Sequence, residues 1–104
     1  MFFTYMLASG KNGTLYTGST DDLRVRVEQH KAKAFGGFTA KYDVTRLVWF
    51  EVHPSRELAF KRERRIKEWR RAWKLRIIEA RNPRWDDLFV DLDRWVTEAE
   101  RDFE

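Results

Sequence analysis

The chain has 104 residues, of which 42% are hydrophobic and 37% charged, with two prolines, five glycines and no cysteine. Its net charge of +4 is unevenly spread, with ten Lys or Arg against three Glu from Lys61 to Arg81, and eight acids against two Arg from Asp86 to Glu104. This size fits one domain with a core rich in large aromatics, and the lack of cysteine excludes disulfides, thiolate metal sites and cysteine nucleophiles and fits a reducing cytoplasm.

Met1 to Ala8 is apolar, but too short and without the basic start of a leader peptide. No apolar run approaches the roughly 20 residues that span a bilayer, so no membrane partner is expected. Residues 2–7 alternate as a strand, with Phe3, Tyr5 and Leu7 on one face and Phe2, Thr4 and Met6 on the other. Ser9 to Gly13 carries Asn-Gly, a hairpin signal, and Thr14 to Gly18 is the return strand, expected to pair antiparallel with the first.

Thr20, Asp21 and Asp22 supply caps for a helix from about residue 21 or 22 to His30 or slightly beyond. Leu23 and Val27 face its core side, and Arg26 and His30 lie together on the flank. Phe35-Gly36-Gly37-Phe38 reads as a loop. Thr45 to Val52 is β-branched and aromatic, hence a third strand, ended by His53-Pro54-Ser55.

A helical stretch starts near Arg56, with Leu58, Ile66, Trp69, Trp73 and Ile77 at near-helical spacing and a break expected around residues 69–72. Asn82-Pro83 ends it, because proline cannot extend the ladder and disfavours helix at the residue before it. An acidic extension over 91–104, helical or partly disordered, follows a domain of residues 1–90. The basic block from Lys61 to Arg81 fits a polyanion such as nucleic acid, and fits a solvated helix face equally well.

Several side chains have chemistry to offer. Glu63 sits at the edge of the apolar helix face, where a carboxylate either pairs with Arg62, Lys67 or Arg70 or holds a hard cation that keeps most of its water. Helical projection puts Arg62 itself near the apolar face, without an evident partner there. Arg26 can grip phosphate bidentately or cover apolar residues with its stem. Tyr5 and Tyr16 lie on strands that should pair, and a phenol, of pKa about 10, is a poor base near neutrality unless cations help it. His30 can relay protons. With only His30 and His53 present, a multi-histidine zinc site is not expected.

Taken in order, Thr4-Tyr5-Met6, Tyr16-Thr17-Gly18, Arg26 and Glu63 resemble the layout of the GIY-YIG nucleases. The likeness covers roughly residues 2 to 90 and is greatest to the small stand-alone members of the family, through four stretches: Thr14 to Gly18 on to Asp22-Leu23, Arg26 to His30-Lys31, Glu63 through Trp69 to Lys74, and Asn82-Pro83 with Trp85 and Asp87-Leu88. Thr4, Met6 and Thr17 depart from the plain motifs.

The resemblance implies an α/β (α+β) fold, a small three-stranded antiparallel sheet flanked by helices. It implies a metal-dependent endonuclease acting on nucleic acid, expected to be DNA, with Mg²⁺ or Mn²⁺ at Glu63 and no small-molecule cofactor. Tyr16 would take the proton from water, Tyr5 would orient water or phosphate, and Arg26 would offset developing charge. His30 and Asn82 would support the geometry. Gly18, Lys31 and Arg64, with Lys67, Arg70, Arg71 and Lys74, would meet the nucleic acid. A non-catalytic nucleic-acid-binding module is the first alternative. The second is a protein-interaction module built on Trp69, Trp73 and Trp95.

Overall fold

Alternation along the first two strands is realised in a computed structural model that describes residues 1–102. Strand β1 (Phe2–Ala8) is central, flanked by β2 (Leu15–Thr20) and β3 (Arg46–His53), both antiparallel to it. The β1–β2 turn closes with Asn12 in the left-handed region (φ 58°), and Ser9 Oγ accepts from the Thr14 amide at 2.9 Å. Helix α1 (Leu23–Lys31) starts at Asp22, whose carboxylate accepts from the Val25 amide. Its Leu23, Val27 and His30 point inward. Ser55 caps helix α3 (Arg56–Lys67) in the same way, and α4 (Arg71–Arg81) follows a three-residue break at 68–70.

The segment read as a loop at 35–38 is partly helical. Gly36 and Gly37, both at positive φ (62° and 67°), redirect the chain into a five-residue helix α2 (Gly37–Lys41). Five residues carry too little periodicity to be seen in sequence.

The sheet separates two core layers, and strand β3 carries a bulge. Met6 pairs with Trp49 but Leu7 pairs with Leu47, so Val48 has no partner in β1. Val48 and Trp49 consequently join the same layer, with Met6 and Ala8, against Ile66, Ile78 and Trp85. On the other sheet face Phe3, Tyr5, Leu7, Leu47 and Phe50 pack on α1 and on the last helix, α5 (Leu92–Arg101), through Leu92. The acidic segment is thus helical over 92–101, and Trp95 and Val96 lie half-buried on the sheet; its last two residues fall outside the described ones.

Two expectations for the helical stripe are corrected. Leu58 and Trp73 are about half exposed, and the face that meets the sheet is Ala59, Glu63 and Ile66 on α3 and Ile78 on α4. The small Ala59 lets α3 lie against β1, where the buried Thr4 hydroxyl donates to its carbonyl at 2.8 Å. Arg62, unexplained by projection, bridges outward: its Nε donates to Glu51 Oε1 at 3.0 Å while its guanidinium lies 5.1 Å from the Trp69 ring centroid. No helix among the described residues is long and apolar enough to cross a membrane.

Asn82 serves the bulge. Its amide nitrogen donates to Val48 O at 3.0 Å and Asp86 O at 2.9 Å, and its oxygen accepts from the Asp86 amide at 3.0 Å. Asn82→Ala is expected to lower stability in urea by on the order of 2 kcal/mol, because buried backbone groups lose their partner. An unchanged midpoint would remove this role.

Candidate functional site

Antiparallel register puts Gly18 directly opposite Tyr5. A β-carbon at Gly18 would fall 2.5 Å from the Tyr5 hydroxyl and 2.6 Å from Cζ, so glycine here lets the phenol lie across the neighbouring strand. The fully buried Tyr5 then reaches His30, with its hydroxyl 3.1 Å from Nε2, and His30 Nδ1 lies 3.1 Å from the Thr39 hydroxyl of α2.

Burial, then the neighbouring Tyr16 and the Glu63 charge, push the Tyr5 phenol well above its ordinary range, against the opposing pull of Arg26. Burial first and Arg26 second hold His30 below the usual histidine value. A protonated phenol beside a neutral imidazole is the pairing both effects favour: Tyr5 donates to Nε2, and Nδ1–H donates to Thr39. Tyr5 is therefore tied to His30, without solvent access for orienting a water.

Tyr16 completes this face of the sheet, its ring 5.3 Å from His30 and 6.3 Å from Tyr5. Ser19 points to the opposite face, toward α3, and its hydroxyl donates to Glu63 Oε1 at 2.6 Å. The other carboxylate oxygen of Glu63 accepts from Lys67 Nζ at 2.7 Å, one helical turn on. The same ammonium lies 5.8 Å from the Tyr16 ring centroid, so Lys67 joins the two faces around the outer edge of β2.

Glu63 is nine-tenths buried, whereas the Lys67 side chain is half exposed. Among the described residues no group of three His, Cys, Asp or Glu converges on one point. One carboxylate with a hydroxyl beside it and an exposed, displaceable lysine suits a hard cation that keeps several waters. It does not suit a caged zinc.

Arg26 is partly exposed and has no carboxylate partner among the described residues; its guanidinium lies 5.5 Å from the Phe35 ring centroid. Lys31 is engaged elsewhere, paired at 2.5 Å with Asp87, whose other oxygen accepts from the Leu47 amide. Asn82 is held at the bulge, and none of its hydrogen bonds reaches Tyr5, Tyr16, His30 or Glu63. Arg64 and Arg70 are exposed, and Arg71 binds the Asn12 and Gly13 carbonyls of the first turn. Burial, and next to it Arg71 and Lys67, lower the Lys74 ammonium from its ordinary value. Positive charge is thus crowded at the α3–α4 junction. A half-open pocket of about 380 Å³ lies elsewhere, between β3 and α5, and β2 is an edge strand of the sheet. Sequence reasoning misses Ser19 and Thr39; strand alternation puts Ser19 on the sheet face away from Tyr16 and Gly18, but nothing local marks Thr39.

The model of the GIY-YIG catalytic domain matches residues 1–76, a span that contains β1, β2, Arg26 and Glu63. The chain belongs to the GIY-YIG family. This GIY-YIG chain is 35% identical over 79 residues to UPF0213 proteins of Staphylococcus aureus strains Mu3 and Mu50, a span that is 76% of this chain and 95% of theirs. The solution NMR structure of a UPF0213 protein from Bacillus halodurans is similar with a TM-score of 0.51 and 27% identity, over 84% of this chain and 93% of that one. The GIY-YIG domain places the chain in a nuclease family. Asn82 and α5 lie beyond the matched residues.

The lowered His30 value has a sign. The unfolded chain binds more protons than the folded one between the two values, so His30 costs stability as pH falls below about 6.5. Urea midpoints from pH 7.5 to 5.5 are expected to drop more for the wild type than for His30→Gln. Parallel curves would contradict a buried, neutral His30.

Proposed function

We propose that the chain is a divalent-metal-dependent endonuclease that hydrolyses phosphodiester bonds, with DNA as substrate and little sequence specificity. The observation that carries this reading is the meeting of Tyr16, Glu63 and Lys67 at the open edge of β2, with Arg26, a cation lacking a carboxylate partner among the described residues, on the adjoining helix. A reaction that adds charge to phosphate needs a proton acceptor for water and cations for the phosphate oxygens.

Tyr16 accepts the proton of the attacking water. The Lys67 ammonium, 5.8 Å from the Tyr16 ring centroid, is the cation beside this base. Arg26 faces the oxygens that gain charge as water adds to phosphorus and the 3′ oxygen departs. The Tyr5–His30–Thr39 chain fixes the imidazole beside Tyr16. Glu63 would hold Mg²⁺ or Mn²⁺, which when bound offsets charge on the phosphate and on the leaving oxygen. Lys67 would leave Glu63 for a phosphate in that state, an exchange its exposure permits.

The exposed cations Arg64 and Arg70, with Arg71 and Lys74, suit contact with backbone phosphates. The crowding that depresses Lys74 would be relieved by an anion placed among them.

One observation favours a second reading. Both Glu63 oxygens already have partners, Ser19 and Lys67, so a non-catalytic nucleic-acid-binding module would also leave Glu63 satisfied. Cleavage of labelled single-stranded, duplex and branched DNA with Mg²⁺, Mn²⁺ or chelator separates the two. Glu63→Gln is expected to lose metal-dependent cutting by at least about a hundredfold, with binding retained. Equal cutting by the variant would refute the assignment of Glu63. Salt-sensitive binding without cutting in either protein would favour the binding module.

A further inference from the structure

Phe35, Phe38 and Tyr42 are 53%, 49% and 50% exposed, three large rings turned to water within a short segment. Packing of the chain on itself does not account for them, and apolar surface of this kind marks binding sites. The cluster adjoins the candidate site. The Phe35 ring lies 5.1 Å from the His30 ring and 5.5 Å from the Arg26 guanidinium. Phe38 and Tyr42 stand one turn apart along α2, with centroids 5.1 Å apart. Gly36 and Gly37, both at positive φ, turn the chain between Phe35 and these two rings.

The charge around the rings is positive. Of the six Lys or Arg from Arg24 to Arg46, Arg24 is paired with Asp93 and Lys31 with Asp87. Lys33 is paired with Asp43 at 3.4 Å, but Lys41, whose ammonium is 5.4 Å from the Tyr42 ring, and Arg26 have no carboxylate partner among the described residues. Flat apolar rings interleaved with unpaired cations match a ligand that alternates flat apolar faces with anions.

We propose that segment 35–42 binds the unpaired bases of a single-stranded nucleic acid and so selects single strands, or the single-stranded arm of a branched substrate, for the adjoining site. A duplex hides its base faces in the stack and offers only phosphates to this surface; an unpaired base can stack on an exposed ring. Lys41 and Arg26 meet the backbone between stacked bases. The inference rests on the nuclease reading for the purpose of the site, but the binding it asserts is measurable without cutting.

The test is fluorescence anisotropy in chelator, with labelled oligo-dT, oligo-rU and a blunt duplex, on the full chain and on Phe38→Ala and Tyr42→Ala. Each variant is expected to lose roughly tenfold in single-strand affinity. Duplex affinity should hold, and the salt slope should not change, because no phosphate contact is removed. Phe38→Tyr and Tyr42→Phe, which keep a ring, should bind as the wild type does. Loss on both oligomers supports the shared chemistry; loss on oligo-dT alone or oligo-rU alone supports it and identifies the sugar.

Unchanged single-strand affinity in the alanine variants would overturn the proposal, and so would an equal loss on duplex. A fall in self-association by sedimentation, with oligonucleotide affinity intact, would overturn it in favour of contact between copies of the chain. Metal-dependent cutting that disappears in Glu63→Gln, combined with ring-independent binding, would remove this inference and leave the nuclease reading. Ring-dependent binding with no cutting would do the reverse.

Discussion

The phenol of Tyr5 lies across the bare Cα of Gly18, and the layout of the site follows from that approach. With any side chain at residue 18 the ring would have to move, and its hydroxyl would leave His30. Because the ring stays, the buried phenol and the imidazole satisfy each other, and Thr39 satisfies the far nitrogen. The chain of three groups ties β1, α1 and α2 together beneath Tyr16. The glycine of the second motif therefore acts first as a place where an aromatic can cross a strand.

The edge position of β2 adds the second half. Only a strand with one free edge lets residues on both of its faces converge around that edge. Tyr16 approaches from the α1 face and Glu63 from the α3 face, held by Ser19, with Lys67 bridging both. A buried carboxylate costs stability unless it is answered, and here a hydroxyl and an ammonium answer it. The ammonium is the replaceable partner, since its side chain is half exposed while Glu63 is not.

Much of this was legible in the residues. Alternation gave the strands, Asp22 and Ser55 marked the helix starts, and the break after residue 67 came where a straight helix would outrun the domain. The order of Tyr5, Tyr16, Arg26 and Glu63 led to the family, whose model matches residues 1–76. What escaped depends on distant packing. Thr39 matters only because α2 brings it to His30, and Lys31 is drawn to Asp87, 56 positions away. Trp73 has helical spacing but half its surface in water, since spacing does not reveal how α4 is rotated after the break. Asn82 carries a residue type suited to a site, yet its hydrogen bonds serve a bulge that no local pattern announces.

The proposal that Glu63 holds a catalytic cation is tested most directly by anomalous diffraction from crystals of the protein soaked in Mn²⁺. The expected result is a manganese peak within bonding distance of the Glu63 carboxylate, with Lys67 moved away from it. A peak confined to another acidic cluster, or Glu63 still paired with Lys67 at saturating Mn²⁺, would contradict it.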